Sequence, residues 1–140
     1  MRSNGQFEQP AFAFRLDNQS GVPVYRQLID QVQSAVAAGA LKAGDQLPTV
    51  RQVAVDLTIN PNTVVRAYRE MEIRGVLDTQ QGTGTFIAER EIVYSKDERA
   101  QKISQLVEEL ASRAGAAGFS IKEISIALSK LMPEGNSRRK

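Results

Sequence analysis

At 140 residues, with 41% hydrophobic and 24% charged side chains, the chain has the size of one ordinary domain with an appendage and the composition of a folded protein. It holds neither cysteine nor histidine, which excludes disulfides and thiolate metal sites and removes the commonest metal ligand and general base. Its net charge is only +2, with seven basic against seven acidic side chains over residues 42 to 96, so a case for nucleic acid rests on where charges sit.

Residues 1 to 10 are polar and aperiodic and read as a mobile arm. From Ala11 to Asp17, Phe12, Phe14 and Leu16 alternate strictly, which predicts a short strand that pairs with the core or covers it. After a turn at Asn18 to Gly21, Pro23 to Ala38 carries an apolar stripe of Val24, Tyr25, Leu28, Ile29, Val32, Ala35 and Val36, predicting a scaffold helix closed by Gly39. Leu41 to Gln46 reads as a loop.

Thr49 and Gln52 have the spacing of a capping box, opening a helix that runs to Leu57 with Val50, Val53, Ala54 and Leu57 inward. Thr58 and Ile59 make a turn. Asn60 as N-cap and Pro61 at the first helical position open a second helix, ending near Arg74 with Gly75 as its left-handed stop. Val64, Ala67, Tyr68 and Met71 form its buried stripe, so Asn62, Arg66, Arg69 and Ile73 face out, flanked by Thr63 and Val65. The period then changes to two strands, Val76 to Gln80 and Thr85 to Ala88, joined by Gln81-Gly82-Thr83-Gly84. Helix, turn, helix and glycine-tipped hairpin together describe a winged helix-turn-helix over residues 11 to 90.

Beyond it, Ser95 and Glu98 cap a helix expected to reach Ala114, broken by Gly115 to Gly118, and Ser120 with Glu123 caps a last helix stopped by Pro133. Ile103, Leu106, Val107 and Leu110 on one, and Ile121, Ile124, Leu128 and Leu131 on the other, give seams too apolar for two isolated helices. Those seams need a partner surface, either their own winged unit or the same pair in a second copy. Residues 95 to 133 are read as a helical dimerisation segment, a reading to which the family likeness given below adds weight, and 134 to 140, with Arg138, Arg139 and Lys140, as a basic disordered tail. The fold class is mainly α with a small β wing, a winged helix-turn-helix plus a two-helix appendage.

Leu47-Pro48-Thr49-Val50-Arg51, Asn60-Pro61-Asn62-Thr63-Val64 with Ala67-Tyr68, and Gly82-Thr83-Gly84-Thr85-Phe86 stand in an order and at separations that resemble the GntR family of bacterial transcription regulators. Pro23-Val24-Tyr25 with Gln27-Leu28 and the Gly39 to Gly44 connection add to a likeness over roughly residues 10 to 90. The short tail makes the chain look most like the YtrA subfamily. Larger relatives carry an effector-binding or aminotransferase-like domain, and the 44 residues after Lys96 leave no room for one. The resemblance implies a repressor, often of transporter operons.

Side chains near the start of a helix lying in the major groove reach base edges, which makes Asn62, Thr63 and Arg66 candidates for base contacts and Arg69 for phosphate. Arg51, at a helix start whose amides also attract anions, is placed for the backbone or a guanine edge, and Gly82, Thr83, Gly84 and Thr85 for phosphates or the minor groove. The resemblance supports Arg51, Thr63 and Gly82 position by position, but many relatives have an arginine where this chain has Pro61, so readout shifts to Asn62 and Arg66. Each residue also has a blander reading: Arg66 paired with Glu70, Arg69 merely solvated, Thr63 part of the cap, Tyr68 core. The glycine run is not a nucleotide loop, because Phe86 and Ile87 continue as a strand rather than a helix.

The expected partners are double-stranded DNA and a second copy of the chain, in a sequence-specific regulator binding a two-fold operator as a homodimer. The alternative is a winged-helix interaction module without sequence readout. No nucleophile-base or metal constellation appears, so neither enzymatic activity nor a cofactor is expected. Neither signal peptide nor spanning segment appears, so a cytoplasmic location is expected, and the sequence names no effector.

Overall fold

The computed structural model describes residues 12–90 and 92–132. The predicted arm at 1–10, the stop at Pro133 and the basic tail lie outside them. Among the described residues five helices and one hairpin follow in order: α1 Val24–Ala38, α2 Val50–Leu57, α3 Pro61–Ile73, β1 Leu77–Gln80, β2 Gly84–Ile87, α4 Lys96–Ala117 and α5 Ile121–Ser129. The chain divides between Arg90 and Glu91 into two compact units. No described helix is long and apolar enough to cross a membrane.

The first unit is built on α3. Its stripe of Val64, Ala67, Tyr68 and Met71 is buried, as the spacing predicts, against Leu28, Ile29 and Val32 of α1, Val53 and Ala54 of α2, and Leu77 and Ile87 of the hairpin. The Tyr68 hydroxyl donates to the Pro48 carbonyl at 2.6 Å, and burial raises its phenol pKa well above the ordinary value. That bond pins the entry of α2 onto α3. Thr58 turns the chain between the two helices with a left-handed φ of 56°, the one non-glycine residue among those described to do so.

Several boundaries differ from the sequence reading. Phe12 to Leu16 is not a strand, although its alternation survives: Phe14 is buried and meets Phe12 edge to face at 4.9 Å, while Arg15 is exposed. Side-chain amides of α1 stand in for a partner strand. The Gln31 amide accepts from the Arg15 N–H (2.9 Å) and donates to its carbonyl (2.6 Å), and Gln27 does the same at Asp17 (2.9 and 3.1 Å). At α2 only half of the capping box forms, with the Thr49 hydroxyl accepting from the Gln52 amide at 3.0 Å.

The Leu41 to Gln46 segment is more than a loop. Gln46 bridges antiparallel to Phe86, and Gly44 and Leu47 donate to the Ile87 and Thr85 carbonyls, so it lines β2 as a rudimentary third strand.

In the second unit both predicted capping boxes are complete, at Ser95 with Glu98 and at Ser120 with Glu123. Hydrogen bonds from the Ser120 backbone and hydroxyl hold the Glu123 carboxyl below the usual range. Here α4 continues through Gly115 to Ala117, and Gly118 ends it with φ 90°. One interior glycine costs a helix only about 1 kcal/mol, too little to break 22 residues. Among the described residues of this unit Ala114 alone is buried; Leu106, Ile121 and Leu131 are 65%, 59% and 58% exposed.

Candidate nucleic-acid interface

The outward face of α3 begins at a cap that leaves its neighbours free. The Asn60 side chain accepts from the Asn62 amide at 2.8 Å, and the Asn60 carbonyl takes the Thr63 amide at 3.0 Å. Asn60 alone therefore makes the cap, and the Thr63 hydroxyl has no partner among the described residues. Asn62, Val65, Arg66, Arg69, Glu70 and Ile73 line one shallow groove along the helix. The structure brings Asn62, Arg66 and Arg69 to one surface, with half-buried Thr63 at its flank.

Arg66 is not paired with Glu70. Glu70 is taken by Arg74 at 3.0 Å, and Arg74 also donates to Gln33 of α1 at 3.1 Å. Among the described residues the ion pairs are that one and Arg26–Asp30, so Arg51, Arg66 and Arg69 keep uncompensated guanidinium groups. Instead, Arg66 lies with its guanidinium carbon 3.7 Å from the centre of the Tyr25 ring. Arg51 is exposed in the first turn of α2, beside amides that attract anions.

The wing is a short antiparallel ladder in which Leu77 faces Ile87 and Gln80 faces Gly84. Gln81, Gly82 and Thr83 form its exposed tip. Thr85 belongs to the strand instead: it is half-buried, its hydroxyl is 3.3 Å from that of Thr79, and its carbonyl holds Leu47. Thr79 in turn bonds Glu72, tying the wing to α3.

Gly84 has φ 140°, and a Cβ there would collide with the Gln46 amide, whose nitrogen donates to the Thr83 carbonyl at 3.3 Å. Gly84→Ala is accordingly expected to cost about 1–3 kcal/mol in backbone strain. It also displaces Gln46 from the tip, so thermal denaturation shows the loss and DNA affinity falls with it. Gly82→Ala, where a Cβ meets open space, carries the strain of φ 78° alone.

Sequence reasoning missed Tyr25 and Gln46, which act across 41 and 37 positions of chain. Tyr25 has the spacing of a core residue, and nothing local marks its ring as a platform. Among the described residues there is no cluster able to hold a metal ion.

Residues 24–87 match the model of the bacterial regulatory proteins of the gntR family. The chain is 34% identical over 110 residues to the HTH-type transcriptional repressor YtrA of Bacillus subtilis, covering 79% of this chain and 85% of that one. It is 44% identical over 95 residues to the uncharacterised regulator YhcF of the same organism, covering 66% and 76%. Among solved structures, a transcriptional antiterminator from Listeria monocytogenes aligns with a TM-score of 0.62 at 29% identity, over 87% of this chain and 90% of that one. YtrA from Sulfolobus acidocaldarius aligns at 0.52 and 29%, over 71% and 99%. A winged helix-turn-helix with these relatives along most of their length belongs to the GntR family, as a YtrA-like, non-enzymatic, DNA-binding transcription regulator.

Proposed function

We propose that the protein is a cytoplasmic repressor that binds a two-fold operator as a homodimer, each copy laying α3 in a major groove and its wing alongside. The observation that carries this is the outward face of α3, where Asn62, Arg66 and Arg69 share one groove and, among the described residues, neither arginine has an acidic partner. In this reading Asn62, Thr63 and Arg66 contact bases, while Arg51, Arg69 and the tip at Gly82 and Thr83 hold phosphates, with Gly84 and Thr85 shaping the wing behind them. The α4–α5 pair supplies the second requirement, an apolar face in want of a partner: Ile103, Leu106, Val107, Leu110, Ile121, Leu128 and Leu131 are all exposed, and Ile124 half-buried. A second copy meets that need and sets the separation of the two recognition helices. Any signal acts by changing that separation.

The test is selection from a random duplex pool by the purified protein at about 0.15 M salt, where unspecific phosphate binding is restrained. An inverted repeat is the expected result, its half-site spacing reporting the distance between the helices. A flat pool from folded protein puts the non-specific interaction module in first place.

A further inference from the structure

We propose that Tyr25 is a positioning residue for sequence recognition: its ring holds the Arg66 guanidinium in the orientation in which it meets a guanine edge. The inference rests on the reading of Arg66 as a base-contacting group and adds to it a residue from another helix. The two side chains are brought together by the packing of α1 on α3, with the guanidinium carbon 3.7 Å from the ring centre.

Three features make the contact a device for positioning. Tyr25 is itself fixed, half-buried on α1 and packed against the core. The nearest acid along the helix, Glu70, is engaged by Arg74, and among the described residues no carboxylate pairs with Arg66. A guanidinium lying on an aromatic face keeps its N–H groups directed outward in their own plane, and those of Arg66 make no hydrogen bond among the described residues. Five donors are thus held and unspent.

Bidentate recognition of guanine needs that planar fork in one orientation, and freezing a long side chain on binding costs affinity. The ring of Tyr25 removes part of that cost beforehand. Arg69, which has no such platform among the described residues, must order itself on contact, consistent with a less directional phosphate role. Tyr25 need not touch DNA to change which base is preferred.

The experiment uses the full chain and the duplex most enriched from the random pool, with every base pair of one half-site varied in turn by competition. Arg66→Ala is expected to flatten the preference at one guanine-bearing pair by about five- to a hundredfold. Tyr25→Leu should flatten the same pair by about two- to fivefold, the span of a cation–π contact at an accessible site. Tyr25→Phe should restore the preference, and Tyr25→Leu should add nothing in the Arg66→Ala background. In the free wild-type protein, side-chain resonances of Arg66 should be displaced upfield by the ring relative to those of Arg51 and Arg69.

If Arg66→Ala flattens one pair while Tyr25→Leu weakens all duplexes alike, Tyr25 is only structural and the proposal falls, leaving the base-reading role of Arg66 intact. If Arg66→Ala changes no preference, both fall. Should Tyr25→Leu not fold, an unshifted Arg66 signal in the wild type overturns the proposal by itself, and a shifted one together with Tyr25→Phe behaving as wild type upholds it.

Discussion

Replacing Leu106 and Leu110 with glutamate is expected to leave a folded monomer that binds the inverted repeat about a hundred- to ten-thousandfold more weakly than the parent, the range lost when two linked contacts become one. The two leucines are 65% and 41% exposed and four residues apart, so they stand on the same side of α4. Exposed positions tolerate charge in an isolated helix, and the capping box at Ser95 with Glu98 remains to hold the start of α4. What glutamate cannot tolerate is burial against a second copy, because an unpaired charge taken from water costs several kcal/mol. Sedimentation should therefore show half the parent mass, with an unchanged helical circular dichroism signal. Binding to a single half-site should be unaffected, since the winged unit is untouched. If the double variant remains a dimer, the apolar seam of α4 is not the interface, and the half-site spacing must be set elsewhere.

Much of the winged unit is legible in the sequence because its instructions are local. Asn60-Pro61 and Gly75 bracket α3 by backbone chemistry alone, and the spacing of Val64, Ala67, Tyr68 and Met71 assigns its inner face before any partner is known. The same logic places Asn62, Arg66 and Arg69 outside, where the structure has them. What was not legible depends on long-range hydrogen bonding. Alternation at Phe12, Phe14 and Leu16 reports one buried edge correctly, yet cannot reveal that Gln27 and Gln31, rather than a strand, satisfy the backbone. Gln46 reads as a loop residue because its partners, Thr83 and Phe86, are far along the chain. Arg66 presents the hardest case: helical spacing offers it Glu70, and only the competition from Arg74, itself anchored to Gln33 of α1, sends it to Tyr25 instead. A salt bridge inferred from i, i+4 spacing thus fails where a third charged group lies four residues further on.

Met71→Ala is expected to destabilise the protein by about 2–5 kcal/mol, the cost of emptying a buried site that the surrounding core only partly refills. Met71 is fully buried in the last turns of α3, and its carbonyl accepts the Val76 amide at 2.8 Å as the chain leaves the helix for the wing. The side chain thus lies under the junction of α3 and the wing. A domain of this size has about 5–15 kcal/mol of stability in total, so the substitution removes a large fraction of it. Ile73→Ala, two residues on but 80% exposed, should change stability by less than about 0.5 kcal/mol. Urea unfolding followed by circular dichroism, at one fixed protein concentration so that self-association weighs equally on both variants, separates the two. Below its melting transition Met71→Ala should keep the base preferences of the parent, since Asn62, Arg66 and Arg69 lie on the opposite face. A neutral Met71→Ala would mean that α3 is not seated through its inner stripe, and the outward orientation of Arg66 would lose its physical basis. Loss of stability with retained preference would separate the two faces of α3 energetically: the inner one fixes the helix, and the outer one is free to be read.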